Sequence, residues 1–396
     1  MNPKKPRITP NQLDIWSGNM SELYNSLEGE IIRIIIKRLN SGHKDITMWQ
    51  AQKLQELRLF NNDVARYVSE VAEVAETSIL NMFEDAGKRM VDDVDNAMTV
   101  AYAKKPMPNN LDQVMRGYFN QVWSEIDNYV NQTLITTQYG IGTATRAYQD
   151  VLNRTSAMFN TGLYTFEQSL ERSINELAQK GINSMFVDRG GNTWSIERYV
   201  RTVLKSTLGN TYDEIRKERM ADYDVHTVVV SSHAGAREKC SRIQGNVVDL
   251  RDPEELPADW PYRSIYDDYW QADYETPSGH RGINCQHLHI PFIPGVNTNN
   301  QPHFDEELNA KVAKARDTQR RIEREIVKYK KNLMVAEELG SENASYWRSM
   351  VSRRQKAMRE HLKENGQYLS RDYSRERVYA PLDTLLKDMD FYDDRW

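Results

Sequence analysis

Two cysteines and four histidines stand close together in the sequence, and they are the residues whose types could do chemistry. The chain of 396 residues has two cysteines, Cys240 and Cys285. Half of its eight histidines fall in one window of 57 residues around them, namely His233, His280, His287 and His289. Thiolate sulfur and imidazole nitrogen are the donors that Zn²⁺ takes in tetrahedral protein sites. The cluster therefore predicts a metal site.

The predicted ligands come from the two halves of this window. In the second half, residues 285, 287 and 289 share one face if the segment is extended, because successive side chains alternate. A thiolate and imidazoles would then converge, so that Cys240 and His233 from the first half meet Cys285 and His287 from the second. His280 competes with His233 for the fourth position. The expected cofactor is one structural zinc ion.

Other interpretations of the cluster remain open. The spacing is not that of a standard zinc finger, since the sequence has no CxxC pair. The two cysteines are also consistent with buried thiols beside ordinary polar histidines, and less readily with one disulfide bridge. A catalytic metal would need an open coordination position and a carboxylate base, for which Asp273 and Glu275 are candidates by their proximity in sequence.

Signatures of common enzyme classes are missing from the sequence. It contains no GxxxxGK(S/T) phosphate-binding loop, no GxSxG nucleophile turn and no HExxH zinc pair. We therefore expect a protein that is not an enzyme and has no catalytic residues.

The elements that must position the cluster follow from hydrophobic periodicity. Apolar residues at helical spacing predict two or three long helices over residues 13–103, and further helices over 111–139 and 166–180, the last ended by Gly181. At Val225 the pattern changes to short β-branched runs. The predicted strands are residues 225–230, 246–250 and 285–292.

These elements predict a mostly α fold with a small α+β module at about 225–300 and a charged helical C-terminal arm. Four regions are expected: a helical N-terminal region (1–105), a second helical region (106–222), the α+β module with its metal site (223–303), and the charged arm with its tail (304–396). The first boundary rests on Pro106 and Pro108, because two prolines interrupt a helix.

Charge is unevenly distributed along the chain. The net charge is −5, which argues against a nucleic-acid binder of overall basic character, whereas residues 311–380 carry a local net charge of +8. Mixed charge on a helix commonly marks a solvated face, and an excess of positive charge also attracts phosphate. The candidate DNA-binding residues are Arg320, Arg321, Arg324, Lys328, Lys330 and Lys331.

Neither a membrane span nor a secretory signal is expected. The longest apolar cluster, residues 31–39, is interrupted by Arg33, Lys37 and Arg38, and is far shorter than the roughly 20 residues that a bilayer requires. The basic residues near the start are not followed by the apolar segment of a signal peptide.

Several segments match, in order, a pattern known from one protein family. They are Thr165-Phe-Glu-Gln-Ser-Leu170 with Leu177-Ala-Gln-Lys-Gly-Ile182 and Arg198-Tyr-Val-Arg-Thr-Val203, then Ser232-His-Ala-Gly-Ala-Arg237 with Gln244-Gly245, then Gly282-Ile-Asn-Cys-Gln-His287 with Pro291-Phe-Ile-Pro-Gly295, and more weakly Gln319-Arg-Arg-Ile-Glu-Arg-Glu-Ile326. Together they cover most of residues 160–335. The chain resembles the phage minor capsid protein 2 family, which is distantly related to head morphogenesis proteins of the phage Mu F type.

The resemblance implies a structural protein built into the phage head in few copies near the portal vertex, acting in head assembly, DNA packaging or genome delivery. The implied partners are the portal protein, the major capsid protein and the phage genomic DNA. The implied location is the virion, either the head interior or the portal vertex, and the host cytoplasm during assembly. In the family's pattern the position of Cys240 is often His, an exchange that a zinc ligand would tolerate, and Ile243 stands where Trp is common.

Two alternatives belong to other functional classes. One is a DNA-binding ejection protein whose basic arm coats the leading end of the genome. The other is a metal-dependent hydrolase or nuclease that uses the His/Cys cluster.

Overall fold

A computed structural model describes residues 10–41, 45–137, 140–282 and 285–390. Residues 1–9, on which the expectation about a signal peptide mainly rests, lie outside this part of the chain. So do Tyr139, near the end of the predicted helix 111–139, and Ile283 and Asn284 of the Gly282–His287 motif. The predicted mostly α fold with a small α+β module is confirmed, since the described strands form only two sheets of two strands and one of three.

Helices make up most of the described chain. They are α1 (Pro10–Leu39), α2 (Ile46–Gln55), α3 (Leu57–Met98), α4 (Leu111–Ile126), α5 (Gln132–Ile135), α6 (Thr143–Asn160), α7 (Phe166–Lys180), α8 (Ile196–Ala221), α9 (Glu238–Ser241), α10 (Glu306–Leu339), α11 (Ala344–Asn365) and α12 (Leu382–Asp390). The helix predicted over 111–139 is interrupted, because a π-helical turn at Asp127–Asn131 separates α4 from α5. In this turn the side chain of Asn131 accepts a hydrogen bond from the Tyr24 hydroxyl of α1.

The strands are short. They are β1 (Thr136–Thr137), β2 (Gly140–Ile141), β3 (Asn183–Val187), β4 (Thr193–Ser195), β5 (Thr227–Val230), β6 (Val247–Asp249) and β7 (His289–Pro291). Strands β6, β5 and β7 form an antiparallel sheet in that order, with Val229 opposite Val247 and Ile290. The strand predicted over 285–292 is therefore confined to 289–291. Cys285 and His287 lie in the irregular segment that leads into it.

The long helices share one core. On α1, Leu23, Leu27 and Ile31 are fully buried at the spacing that places side chains on one helix face. Helix α7 has the predicted bounds: Thr165 and Gln168 form a capping box at its start, and Gly181, with φ 77°, ends it. Among the described residues, no helix combines the length and the apolar character that a membrane span requires.

A second core lies inside the α+β module, and the helical body contributes to it. Val228, Val230 and Val248 from the sheet pack with Val94 and Met98 from the end of α3. Beside this contact the guanidinium of Arg219 on α8 holds both carboxylate oxygens of Asp95 on α3, at 2.7 and 2.9 Å. The module is thus attached to α3 and α8 by apolar contacts, and a buried ion pair beside them joins these two helices to each other.

The charged C-terminal segment folds back on the body. Helices α10 and α11 form a hairpin whose turn has Gly340 at φ 67°, and Ile322, Ile326 and Met358 pack between the two helices. Lys331 of α10 reaches the carboxylate of Glu28 on α1, with Nζ and Oε1 3.1 Å apart. The predicted region boundaries near residues 105, 222 and 303 stay predictions.

Candidate metal centre

Cys240 is positioned by the connection between β5 and β6. After β5 the chain turns through residues 231–237 and forms the short helix α9, in which the Cys240 amide donates a hydrogen bond to the Arg237 carbonyl at 2.8 Å. The Cys240 side chain is only 2% exposed. The same connection carries Ser231 and His233, so the first half of the predicted cluster comes from a single segment between β5 and β6.

His280 is positioned by a tight loop before β7. Its amide donates to the Ala272 carbonyl at 2.8 Å, and its carbonyl accepts from the Glu275 amide at 2.9 Å. Gly279 is required here because a Cβ atom would overlap the Asp273 carbonyl oxygen. His280 is fully buried as a result.

Arg281 anchors this loop to α8. Its guanidinium contacts the carboxylate of Asp213 and donates a hydrogen bond to the Gly209 carbonyl at 3.0 Å. It also donates to the carbonyl of His287, which connects the loop to the segment before β7. Burial raises the pKa of Asp213 to about 6, although Arg281 acts in the opposite direction. Sequence reasoning missed this anchor, because Asp213 is 67 residues from His280 and no local pattern joins them.

Three potential ligands meet at one point. The sulfur atoms of Cys240 and Cys285 are 3.9 Å apart, and both cysteines are free thiols. The ligand atoms of Cys240, His280 and Cys285 all lie within 4.8 Å of one another. Two of the sequence-predicted ligands therefore come together with His280, which was predicted as a competitor for the fourth position.

The remaining histidines surround this group. His287 is 1% exposed; its Nδ1 lies 2.6 Å from the Ser231 carbonyl oxygen, and its Nε2 is buried without a hydrogen-bond partner among the described residues. His289 Nε2 lies 2.9 Å from His280 Nε2. His233 stacks on the His287 ring, with centroids 4.3 Å apart and planes at 17°. His233 is thus at the edge of the cluster and outside the group of three.

Burial keeps the imidazoles neutral. It lowers the pKa of His280, lowers that of His287 to about 3, and places that of His289 well below its usual value. The sulfurs of Cys240 and Cys285 share one hydrogen bond, which lowers the pKa of Cys285. The same shared proton raises the pKa of Cys240. Neutral imidazoles and a thiolate are the protonation states in which these side chains bind metal.

The carboxylates predicted as candidate bases point elsewhere. Asp273 is exposed and forms an ion pair with Lys239, and Glu275 is exposed as well. Neither belongs to the group of ligand atoms. The described geometry is that of a buried Cys/His cluster beside a small sheet.

The six candidate DNA-binding residues lie on α10, and four of them have partners within the chain. Arg320 pairs with Glu323 at 2.6 Å and Arg321 with Glu325 at 3.7 Å. Lys330 donates to the Glu376 carbonyl at 2.6 Å, and Lys331 pairs with Glu28. Arg324 and Lys328 are exposed and, within the described part of the chain, form no ion pair; they line a cleft of about 920 Å³ between α10 and α1.

The fold and the site together define a class of protein: a helical body that carries a small α+β module with a buried Cys/His cluster. The model of one family, described as phage minor capsid protein 2, matches residues 8–363. The chain belongs to this family, and the family resemblance seen in the sequence is confirmed.

Two relatives are phage structural proteins. The chain is 30% identical over 371 residues to a structural protein of Lactococcus phage LL-H, an alignment that covers 91% of this chain and 99% of that protein. It is 36% identical over 118 residues to a structural protein of Lactococcus phage mv4, which covers 30% of this chain and 92% of that protein. No solved structure matches the chain. The chain is therefore a phage structural protein of the minor capsid class.

Proposed function

We propose that this chain is a minor component of the phage head that assembles at the portal vertex and acts there in head assembly, DNA packaging or genome delivery. The observation that carries the proposal is the match to the minor capsid protein 2 family over residues 8–363. The proposed protein partners are the portal protein and the major capsid protein. The proposal assigns no substrate turnover to the chain.

The structure supports a scaffold role in two respects. First, the large helical core is continuous over α1 to α8. Second, Lys331 of the C-terminal hairpin pairs with the buried carboxylate of Glu28 in this core. The same carboxylate accepts hydrogen bonds from the Ile182 amide at 3.0 Å and the Tyr379 hydroxyl at 2.7 Å. Such cross-linking of distant chain segments suits a component that must keep its shape within an assembly.

Cross-linking mass spectrometry on purified phage heads tests the location. We expect this chain to copurify with heads at a copy number close to that of the portal and far below that of the major capsid protein, and to cross-link to the portal. Cross-links to the major capsid protein at many equivalent lattice positions, or absence of the chain from purified heads, would overturn the proposal. A tagged chain retained in heads without DNA would further separate a role in assembly from a role in delivery.

A second candidate function is contact with the genomic DNA through the C-terminal hairpin. Arg324 and Lys328 are one helical turn apart on α10, exposed and outside the ion pairs described above. The exposed side of α11 adds further positive charge, from Arg353, Lys356, Arg359 and Lys363. Exposed cations at helical spacing are the groups that neutralise DNA phosphates.

DNA binding is tested by fluorescence anisotropy on a short duplex over a range of salt concentrations. Replacing Arg324 and Lys328 by Gln removes two cations, so the slope of log affinity against log salt should fall by about 2. The matched control replaces Arg320 and Arg321, whose guanidiniums pair with glutamates, and should change the slope less. Absence of binding at low salt, or equal slopes in both double variants, would overturn the DNA contact.

A further inference from the structure

We infer that Cys240, His280, Cys285 and His287 bind one Zn²⁺ ion in a closed tetrahedral site that stabilises the α+β module. The inference rests on the geometry of the cluster and is independent of where the protein is placed in the virion. It selects His280 over His233 as the fourth ligand and assigns the ion a structural role.

The spacing of the sulfur atoms fits zinc. Two sulfurs each about 2.3 Å from a tetrahedral zinc ion lie roughly 3.8 Å apart. The Cys240 and Cys285 sulfurs are 3.9 Å apart, and the nearest ligand atom of His280 lies within 4.8 Å of both. His287 is not in this group of three, so its side chain would have to move inward to complete coordination.

The ring nitrogens of the two histidines are arranged as in zinc sites. His287 Nδ1 donates a hydrogen bond to the Ser231 carbonyl, so the proton is on Nδ1 and the lone pair of Nε2 is available. His280 uses Nε2 on His289, and its Nδ1 is buried without a hydrogen-bond partner among the described residues. A buried polar atom without a partner costs free energy, and a bound metal would satisfy both of these atoms.

Groups that accept hydrogen bonds from the proposed histidine ligands are also present. In zinc proteins, a ligating histidine donates its other N–H to a carbonyl, a carboxylate or a similar acceptor. The Ser231 carbonyl serves His287, and the His289 ring serves His280. His289 is only 3% exposed, so this contact is held in place by the packing of β7.

The charge of the proposed ligands and the small size of the module favour a structural ion. Two thiolates would neutralise the dication, and the neighbouring buried charge of Arg281 is paired with Asp213. The module that surrounds it has three strands of three or four residues and few other regular elements, and a domain of that size commonly needs a metal or a disulfide for stability. A closed set of four protein ligands leaves no position for a substrate or a reactive water, and the nearby carboxylates of Asp273 and Glu275 are exposed.

His233 provides the control that distinguishes this ligand set from its nearest alternative. It comes from the same connection as Cys240, yet its ring lies parallel to that of His287 and its Nδ1 is 3.3 Å from the Ala234 carbonyl. A parallel stack places the ring beside the ligand and not at the metal. His233→Ala should therefore retain the ion, whereas His280→Ala should lose it.

The test is elemental analysis of the full chain, purified in zinc-containing buffer and then desalted, by mass spectrometry. We expect one zinc per chain in the wild type and in His233→Ala, and at most a tenth of that in Cys285→Ser and His280→Ala. Because those two variants could fail to fold, the wild type is also stripped with a chelator and titrated with Co²⁺, which should show thiolate-to-cobalt charge-transfer absorption that saturates at one equivalent. A metal-free wild type without this absorption, or zinc lost in His233→Ala and kept in His280→Ala, would overturn the inference.

Discussion

The ion pair between Arg219 and Asp95 should be one of the interactions on which the packing of α8 against α3, next to the α+β module, depends most. The guanidinium is 3% exposed and the carboxylate 1% exposed, and the two form a bidentate contact. Asp95 also accepts a hydrogen bond from the Tyr223 hydroxyl at 2.8 Å. Asp95→Asn keeps the shape of the side chain and removes its charge, so it leaves a buried cation without its main partner.

The expected cost follows from the partners that Arg219 retains. Removing one member of a buried pair costs roughly 3–5 kcal/mol because the other charge stays buried. Arg219 keeps a contact with Asp222 at 2.9 Å and with the Lys105 carbonyl at 2.9 Å, so we expect the lower end, about 3 kcal/mol in the free energy of unfolding. Asp222 is half exposed and compensates only in part.

Urea denaturation followed by tryptophan fluorescence measures this cost. The matched control is Asp92→Asn on the same helix, whose carboxylate pairs with the exposed Lys104 at 3.3 Å and should contribute less than about 0.5 kcal/mol. A double-mutant cycle with Arg219→Met isolates the pairwise term and should return a coupling above about 2 kcal/mol. The reasoning is refuted if Asp95→Asn costs no more than the control, or if the two substitutions add without coupling.

Three further substitutions test other parts of the structure. Glu28→Gln should lower the free energy of unfolding by roughly 1–3 kcal/mol because it leaves the largely buried ammonium of Lys331 without its charge partner, and an unchanged urea midpoint would contradict this. Ile326→Ala should lower the free energy of unfolding by roughly 2–5 kcal/mol and raise amide hydrogen exchange in α11, because Ile326 packs between the two helices of the hairpin. Unchanged exchange in α11 would show that this packing does not hold α11 in place. Gly279→Ala should speed zinc loss to a chelating dye, since the added Cβ displaces the loop that carries His280, and an unchanged rate would contradict the role of that loop.

Much of the fold could be predicted from periodicity, because long helices repeat their pattern over many residues. The bounds of α7 agree because a capping box and a terminal glycine mark both ends. The strand predicted over 285–292 shortened to β7 because pairing with β5 is available only at residues 289–291. The interruption at Asp127–Asn131 coincides with a tertiary hydrogen bond from Tyr24 to Asn131, which the hydrophobic periodicity of the segment does not indicate.

The sequence predicted which residue types form the candidate site better than it predicted how they are arranged. The clustering of cysteines and histidines pointed to one window of the sequence, and within it the sulfurs of Cys240 and Cys285 lie 3.9 Å apart. The choice between His233 and His280 depends on the loop before β7, where the non-glycine residues Asp273, Glu275 and Arg281 adopt positive φ angles that no spacing rule anticipates. On α10, the sequence shows the spacing of opposite charges within the helix, but it does not show that Lys331 pairs with Glu28 on α1.

X-ray absorption spectroscopy at the zinc edge of the purified full chain tests the central claim about the site most directly. The proposed ligand set predicts a shell of two sulfurs at about 2.3 Å and two nitrogens at about 2.0–2.1 Å, with the outer scattering of imidazole rings. A shell of nitrogen and oxygen alone, or a single sulfur with an open position, would contradict a closed site formed by Cys240, His280, Cys285 and His287.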